Sequence, residues 1–94
     1  MLDIRLQDLH LTAMNMWIRN TEHRLRTNKN ANGTEMTDEE RRWWQQKLRE
    51  KYKTFRRACK KYGRADEYEH FLEMKAERER EREREEHLYD YDNE

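Results

Sequence analysis

Apolar residues recur along this chain at three- and four-residue steps in three blocks, and residues that turn the backbone separate the blocks. In the first block Leu6, Leu9, Ala13 and Trp17 form one row, beside a second row of Leu11, Met14, Ile18 and Leu25. That spacing predicts a helix over about residues 3–28 with a broad apolar face turned to a core. The stretch "TNKNANGT" follows. Its asparagines and Gly33 accept left-handed backbone angles, so the chain is expected to turn there.

In the second block Trp44, Leu48, Tyr52, Phe55, Cys59 and Tyr62 follow one another at steps of 4, 4, 3, 4 and 3. This near-heptad seam lies along one side of a helix over about 38–62 and is expected to pack against the first helix. "TDEE" opens that helix with a capping box: the Thr37 hydroxyl accepts from the Glu40 amide while the Glu40 carboxylate reaches back. Asp38, Glu39 and Glu40 suit the positive end of the helix dipole. Gly63 is the natural stop, because glycine adopts the left-handed cap most easily. Two helices of matched length joined by a short turn predict an antiparallel hairpin.

The third block is shorter. Asp66 with Glu69 offers a second capping box, and Tyr68, Phe71, Leu72 and Ala76 give a stripe from residue 66 to 76 and onward. "ERERERERE" then puts opposite charges three apart but like charges four apart, so supporting and opposing pairs nearly cancel. Residues 77–94 read as a solvated, fraying helical extension that passes into a loose acidic tail. The fold class expected is all-α: an antiparallel helical hairpin with a third, charged C-terminal helix, one domain over residues 1–76 and an extension over 77–94.

Composition makes this core thin. Of 94 residues, 33% are hydrophobic and 45% charged, against about a quarter charged in an average domain. A small chain with so few apolar side chains needs help to be stable. The lone Cys59 cannot form an internal disulfide or a thiolate-rich metal site, so self-association or a partner protein is expected. The chain holds no apolar run of membrane-spanning length, and "MLDIRLQDLH" lacks the layout of a signal peptide. With a lone thiol, this points to a reducing cytoplasmic location.

The net charge of zero conceals segregation. Residues 41–64 hold eleven basic side chains and one acid, Glu50, whereas residues 65–94 hold five basic and thirteen acidic ones. Arg42, Arg49, Lys53, Arg56 and Lys60, at steps of 7, 4, 3 and 4, form a basic row flanking the aromatic seam. Such a row neutralises phosphates or docks on an acidic protein groove. Trp43 does not share the seam. Its neighbours one turn on are Gln46 and Lys47, so it is expected to be partly exposed, as an interface anchor is. The acids Asp66, Glu67, Glu69, Glu73 and Glu77 offer a competing arrangement, in which the third helix folds over Lys53, Arg56 and Lys60. The tail, with Tyr89, Asp90, Tyr91 and Asp92, is a candidate ligand for a basic channel.

Catalysis finds little footing. There is no glycine-rich phosphate loop and no serine, and His10, His23, His70 and His87 are scattered. Glu67 and His70 make a single Glu-x-x-His pair, where a helical di-iron site uses two and further carboxylates. No enzyme activity, cofactor or metal is expected. The function expected is that of a small non-catalytic protein docking on a larger host protein, with a nucleic-acid-processing enzyme as the partner class. Charge-rich helical chains of this size are common among phage and mobile-element accessory proteins. The alternatives are sequence-nonspecific DNA or RNA binding by the basic row, and a structural homo-oligomer.

Overall fold

The computed structural model describes the backbone of residues 3–92 and the side chains of residues 3–85. Among these residues the chain forms three helices, α1 (Ile4–Thr27), α2 (Asp38–Lys61) and α3 (Ala65–Asp92). Local chemistry sets their ends. The Asp3 carboxylate accepts from the Arg5 amide at 3.0 Å and caps α1. At the other end Asn28 takes the left-handed conformation, with φ of 56°. The Arg41 guanidinium then donates to the Leu25 carbonyl at 2.7 Å and to Asn28 Oδ1 at 3.2 Å. A cation from the first turn of α2 thus satisfies the negative end of α1. Between the helices Met36 donates its amide to the Asn28 carbonyl at 3.0 Å and buries its side chain, which pins the loop.

The capping box of α2 is formed, with Glu40 N to Thr37 Oγ1 and Thr37 N to Glu40 Oε1 both at 3.1 Å. The Thr37 backbone amide holds the Glu40 carboxyl below its usual range. Gly63 ends the helix turn with φ of +70°, a conformation that costs a side-chain-bearing residue energy. Immediately after it α3 begins at Ala65, one residue before the capping box expected at Asp66. Asp66 lies inside the first turn, because the glycine reverses the chain so sharply that the helix restarts at once.

Both α1 and α3 run antiparallel to α2. Asp8 meets Arg64 and Tyr52 meets Glu22 along one side, and Tyr68 packs on Phe55 and Phe71 on Tyr52 along the other. The expected hairpin is therefore present, as two legs of an up-down-up bundle. Leu11, Met14, Ile18, Phe55, Ala58, Cys59 and Phe71 form the buried core, with Trp17, Leu48, Tyr52, Tyr62 and Tyr68 packed around it. The whole α2 seam is buried or half-buried, as its spacing predicts.

Two expectations fail. Of the first α1 row only Trp17 reaches the core: Leu6 and Leu9 are 51% and 67% exposed and Ala13 is exposed, with Met16 beside them at 59%. α2 covers only the Leu11–Leu25 side, and α1 has no second neighbour to bury the other. On α3, Leu72 points outward, so the inner stripe is Tyr68, Phe71 and then Lys75. The helical extension expected beyond Ala76 is present, and the backbone stays helical to Asp92, through most of the stretch expected as a tail. Glu and Arg are good helix formers, and the stems of Lys75, Arg78 and Arg82 are half-buried along α3, which adds packing the charge pattern does not reveal. No helix among the described residues is long and apolar enough to cross a membrane.

Candidate functional site

α2 turns its basic row outward. Arg42, Arg49, Lys53, Arg56 and Lys60 are all exposed, and among the described residues none lies within 4 Å of a carboxylate as an ion pair. Arg57 and Lys61 are exposed too. One helical turn is 3.6 residues, so both fall on the arc between the row and Trp43, and the outer face of α2 is mainly cationic, with Glu50 on the same arc paired to Lys47. The expected cover by α3 does not occur. Glu67 pairs with Arg64, and Asp66, Glu69, Glu73 and Glu77 form no ion pair among the described residues. The reason lies in the seam. Phe71 and Tyr68 seat α3 on Phe55, which leaves its acids on the sides and back of the helix.

Trp43 is 53% exposed. Its ring meets Trp44 edge to face with centroids 4.9 Å apart, and the Lys47 ammonium lies 5.3 Å from its centroid. Trp44, in the seam, packs on Trp17 of α1 at 6.1 Å. The indole is thus supported from behind and presented to solvent. The tail residues Tyr89, Asp90, Tyr91 and Asp92 lie outside the residues whose side chains are described; their backbone belongs to α3.

A second basic surface escaped the sequence reading. No Cα of α1 comes within 8 Å of a Cα of α3 among the described residues, so both helices lean on α2 and leave a groove between them. At its base Lys75 Nζ meets Glu22 Oε2 at 3.0 Å, and the Tyr52 hydroxyl donates to the same oxygen at 2.9 Å. Burial lifts the Tyr52 hydroxyl to about 12, and Glu22 adds to the rise against Lys75. Burial opposes the Lys75 ammonium, but Tyr52 and Glu22 outweigh it and hold Lys75 above its usual range. Beyond this link lies a space of about 740 Å³ with Arg19 and Arg26 on the α1 wall and Arg78 and Arg82 on the α3 wall. None of these four guanidiniums pairs with a carboxylate among the described residues, and Arg26 donates to His23 Nδ1 at 3.1 Å.

One signal could have found the α3 wall. Continuing the 3–4 step from Tyr68 and Phe71 leads to Lys75, Arg78 and Arg82, so the stripe runs on past Ala76 with basic side chains in place of apolar ones. The groove continues toward Gly63 past Asn15, whose Oδ1 is buried with no hydrogen-bond partner. Its floor there is Phe55, Cys59 and Phe71. Cys59 is buried, and burial pushes its thiol pKa up, the opposite of an activated nucleophile. Among the described residues no cluster of three or more His, Cys, Asp or Glu is placed to hold a metal. No protein-family model, curated protein or solved structure matches this chain.

Proposed function

We propose that this chain is a small non-catalytic binding protein that docks on a larger protein through the outer face of α2 and alters that partner's activity. The observation that carries this reading is the exposed, unpaired row of Arg42, Arg49, Lys53, Arg56 and Lys60 beside the supported indole of Trp43. Cations without counter-ions steer an acidic partner surface into register, and a half-exposed tryptophan braced by its neighbours supplies the apolar anchor typical of hot spots. The partner proposed from composition is a host nucleic-acid-processing enzyme, engaged at an acidic patch.

A second reading, direct nucleic-acid binding, draws on the same row. Five cations spread over about 27 Å of helix would give an affinity falling with a log–log salt slope of roughly −4 to −5.

Affinity capture of the full chain from nuclease-treated lysate separates the two. One protein retained by the wild type, and lost with both the Arg49→Gln/Lys53→Gln/Arg56→Gln and the Trp43→Ala variants, is the expected result. Capture that disappears with nuclease, together with a labelled DNA or RNA shifted by the pure protein, would move the function to nucleic acid.

A further inference from the structure

Arg19 and Arg26 of α1 face Arg78 and Arg82 of α3 across the groove and outnumber the Glu22 and Glu79 carboxylates that also line it, and the same chain carries an acidic segment that its own groove cannot receive. We propose that residues 85–94 of one copy dock in the α1–α3 groove of a second copy, joining chains head to tail. The surface differs from the docking face of α2, so either can fail without the other.

Charge is the first argument. Arg19, Arg26, Arg78 and Arg82 line the groove; the carboxylates of Glu22 and Glu79 beside them pair with Lys75, so the four arginines repel one another unless a further anion enters. Residues 85–94 hold Glu85, Glu86, Asp90, Asp92 and Glu94 and no lysine or arginine. Guanidinium–carboxylate pairs are the strongest of the charge-assisted hydrogen bonds and are often bidentate. The floor supplies the second argument. Between the arginines lie Leu25 and Leu48, with the exposed Met16 at the rim, and the acidic segment interleaves Leu88, Tyr89 and Tyr91 with its acids. An apolar floor with basic walls suits an acidic helix that carries a few apolar anchors.

Connectivity decides between docking within one copy and between two. α3 is unbroken from Ala65 to Asp92 and contains neither glycine nor proline. Asp90 therefore stands about 12 Å further along the axis than Arg82, and the segment cannot turn back beside its own Arg78 without breaking the helix. A second copy can accept it. The zero net charge of the whole chain removes the long-range repulsion that keeps highly charged proteins apart. The contact is heterologous, with different surfaces on the two copies, so assembly grows into rings or open chains.

The test is sedimentation velocity on the full chain at low and high salt, with two variants checked for helix content by circular dichroism. One is Arg78→Gln/Arg82→Gln; the other is Glu85→Gln/Glu86→Gln/Asp90→Asn/Asp92→Asn/Glu94→Gln. The wild type is expected to self-associate at low salt and to dissociate at high salt. Each variant alone should associate at least about tenfold more weakly. Their mixture should form a one-to-one dimer and nothing larger, since it retains one intact groove and one intact acidic segment. A wild type that stays monomeric at low salt overturns the proposal. So does an Arg78→Gln/Arg82→Gln variant that associates like the wild type, which would point to the exposed Leu6, Leu9 and Met16 side of α1. A monomer that binds labelled single-stranded DNA through Arg78 and Arg82 would overturn it in favour of nucleic acid.

Discussion

Raising the pH should loosen the polar junction of Glu22, Tyr52 and Lys75, which ties α1 to both α2 and α3. The Tyr52 hydroxyl donates to Glu22 Oε2 at 2.9 Å, and the same oxygen binds Lys75 at 3.0 Å. Ionising Tyr52 would place a phenolate in a half-buried position against a carboxylate, which is why its pKa rises to about 12, against about 10 in an unfolded chain. The sign follows from proton counts. Between those two values the unfolded chain has lost the proton and the folded chain keeps it, so stability falls as pH rises through the window. Two units correspond to about 2.7 kcal/mol at full effect. Tyr52 is only half-buried, and screening by water and salt reduces the expected loss to about 1 kcal/mol. Lys75, held above its usual range by the same neighbours, loses its contribution in the same direction as it deprotonates. The assay is urea unfolding of the wild type and Tyr52→Phe, followed by the helical circular dichroism signal from about pH 9 to about pH 12. The advantage of the wild type over Tyr52→Phe should shrink by about 1 kcal/mol across that range. Buried Cys59 titrates in both proteins and cancels. A difference that does not change with pH would refute the reasoning, as would a native phenolate that forms at the ordinary tyrosine value.

Two further substitutions probe the frame that holds the surfaces. Phe55→Ala removes a ring that is 4% exposed and packs on both Phe71 and Tyr68. It should cost about 3–5 kcal/mol in chemical denaturation, and a loss below about 1 kcal/mol would show that the three helices do not share this core. Gly63→Ala should lower stability by about 1 kcal/mol, purely through backbone conformation. A Cβ at Gly63 would meet nothing within 4 Å, but φ is +70°. Gly63→Asn, which tolerates that angle better, should have the higher melting temperature of the two, and the reverse order would contradict the account.

The elements of this protein are legible from its residues because the forces that set them are local. Thr37 and Glu40 cap α2 as their spacing requires, Gly63 stops it, and the seam from Trp44 to Tyr62 turns inward along its length. The outward turn of Arg42, Arg49, Lys53, Arg56 and Lys60 follows from the same periodicity, since a row beside a buried seam has nowhere else to go. Periodicity within one helix carries no information about where its neighbours stand. α1 offers two apolar rows, and the position of α2 decided that Ile18 would be buried while Leu9 faced solvent. The acids of α3 looked free to cover the basic row. The aromatic contacts of Tyr68 and Phe71 fixed the helix about its axis and turned Lys75, Arg78 and Arg82 toward α1 instead. The groove with four facing arginines exists only because α1 and α3 each pack on α2 and not on one another. That arrangement depends on three helices at once, which residue spacing along a single chain does not specify.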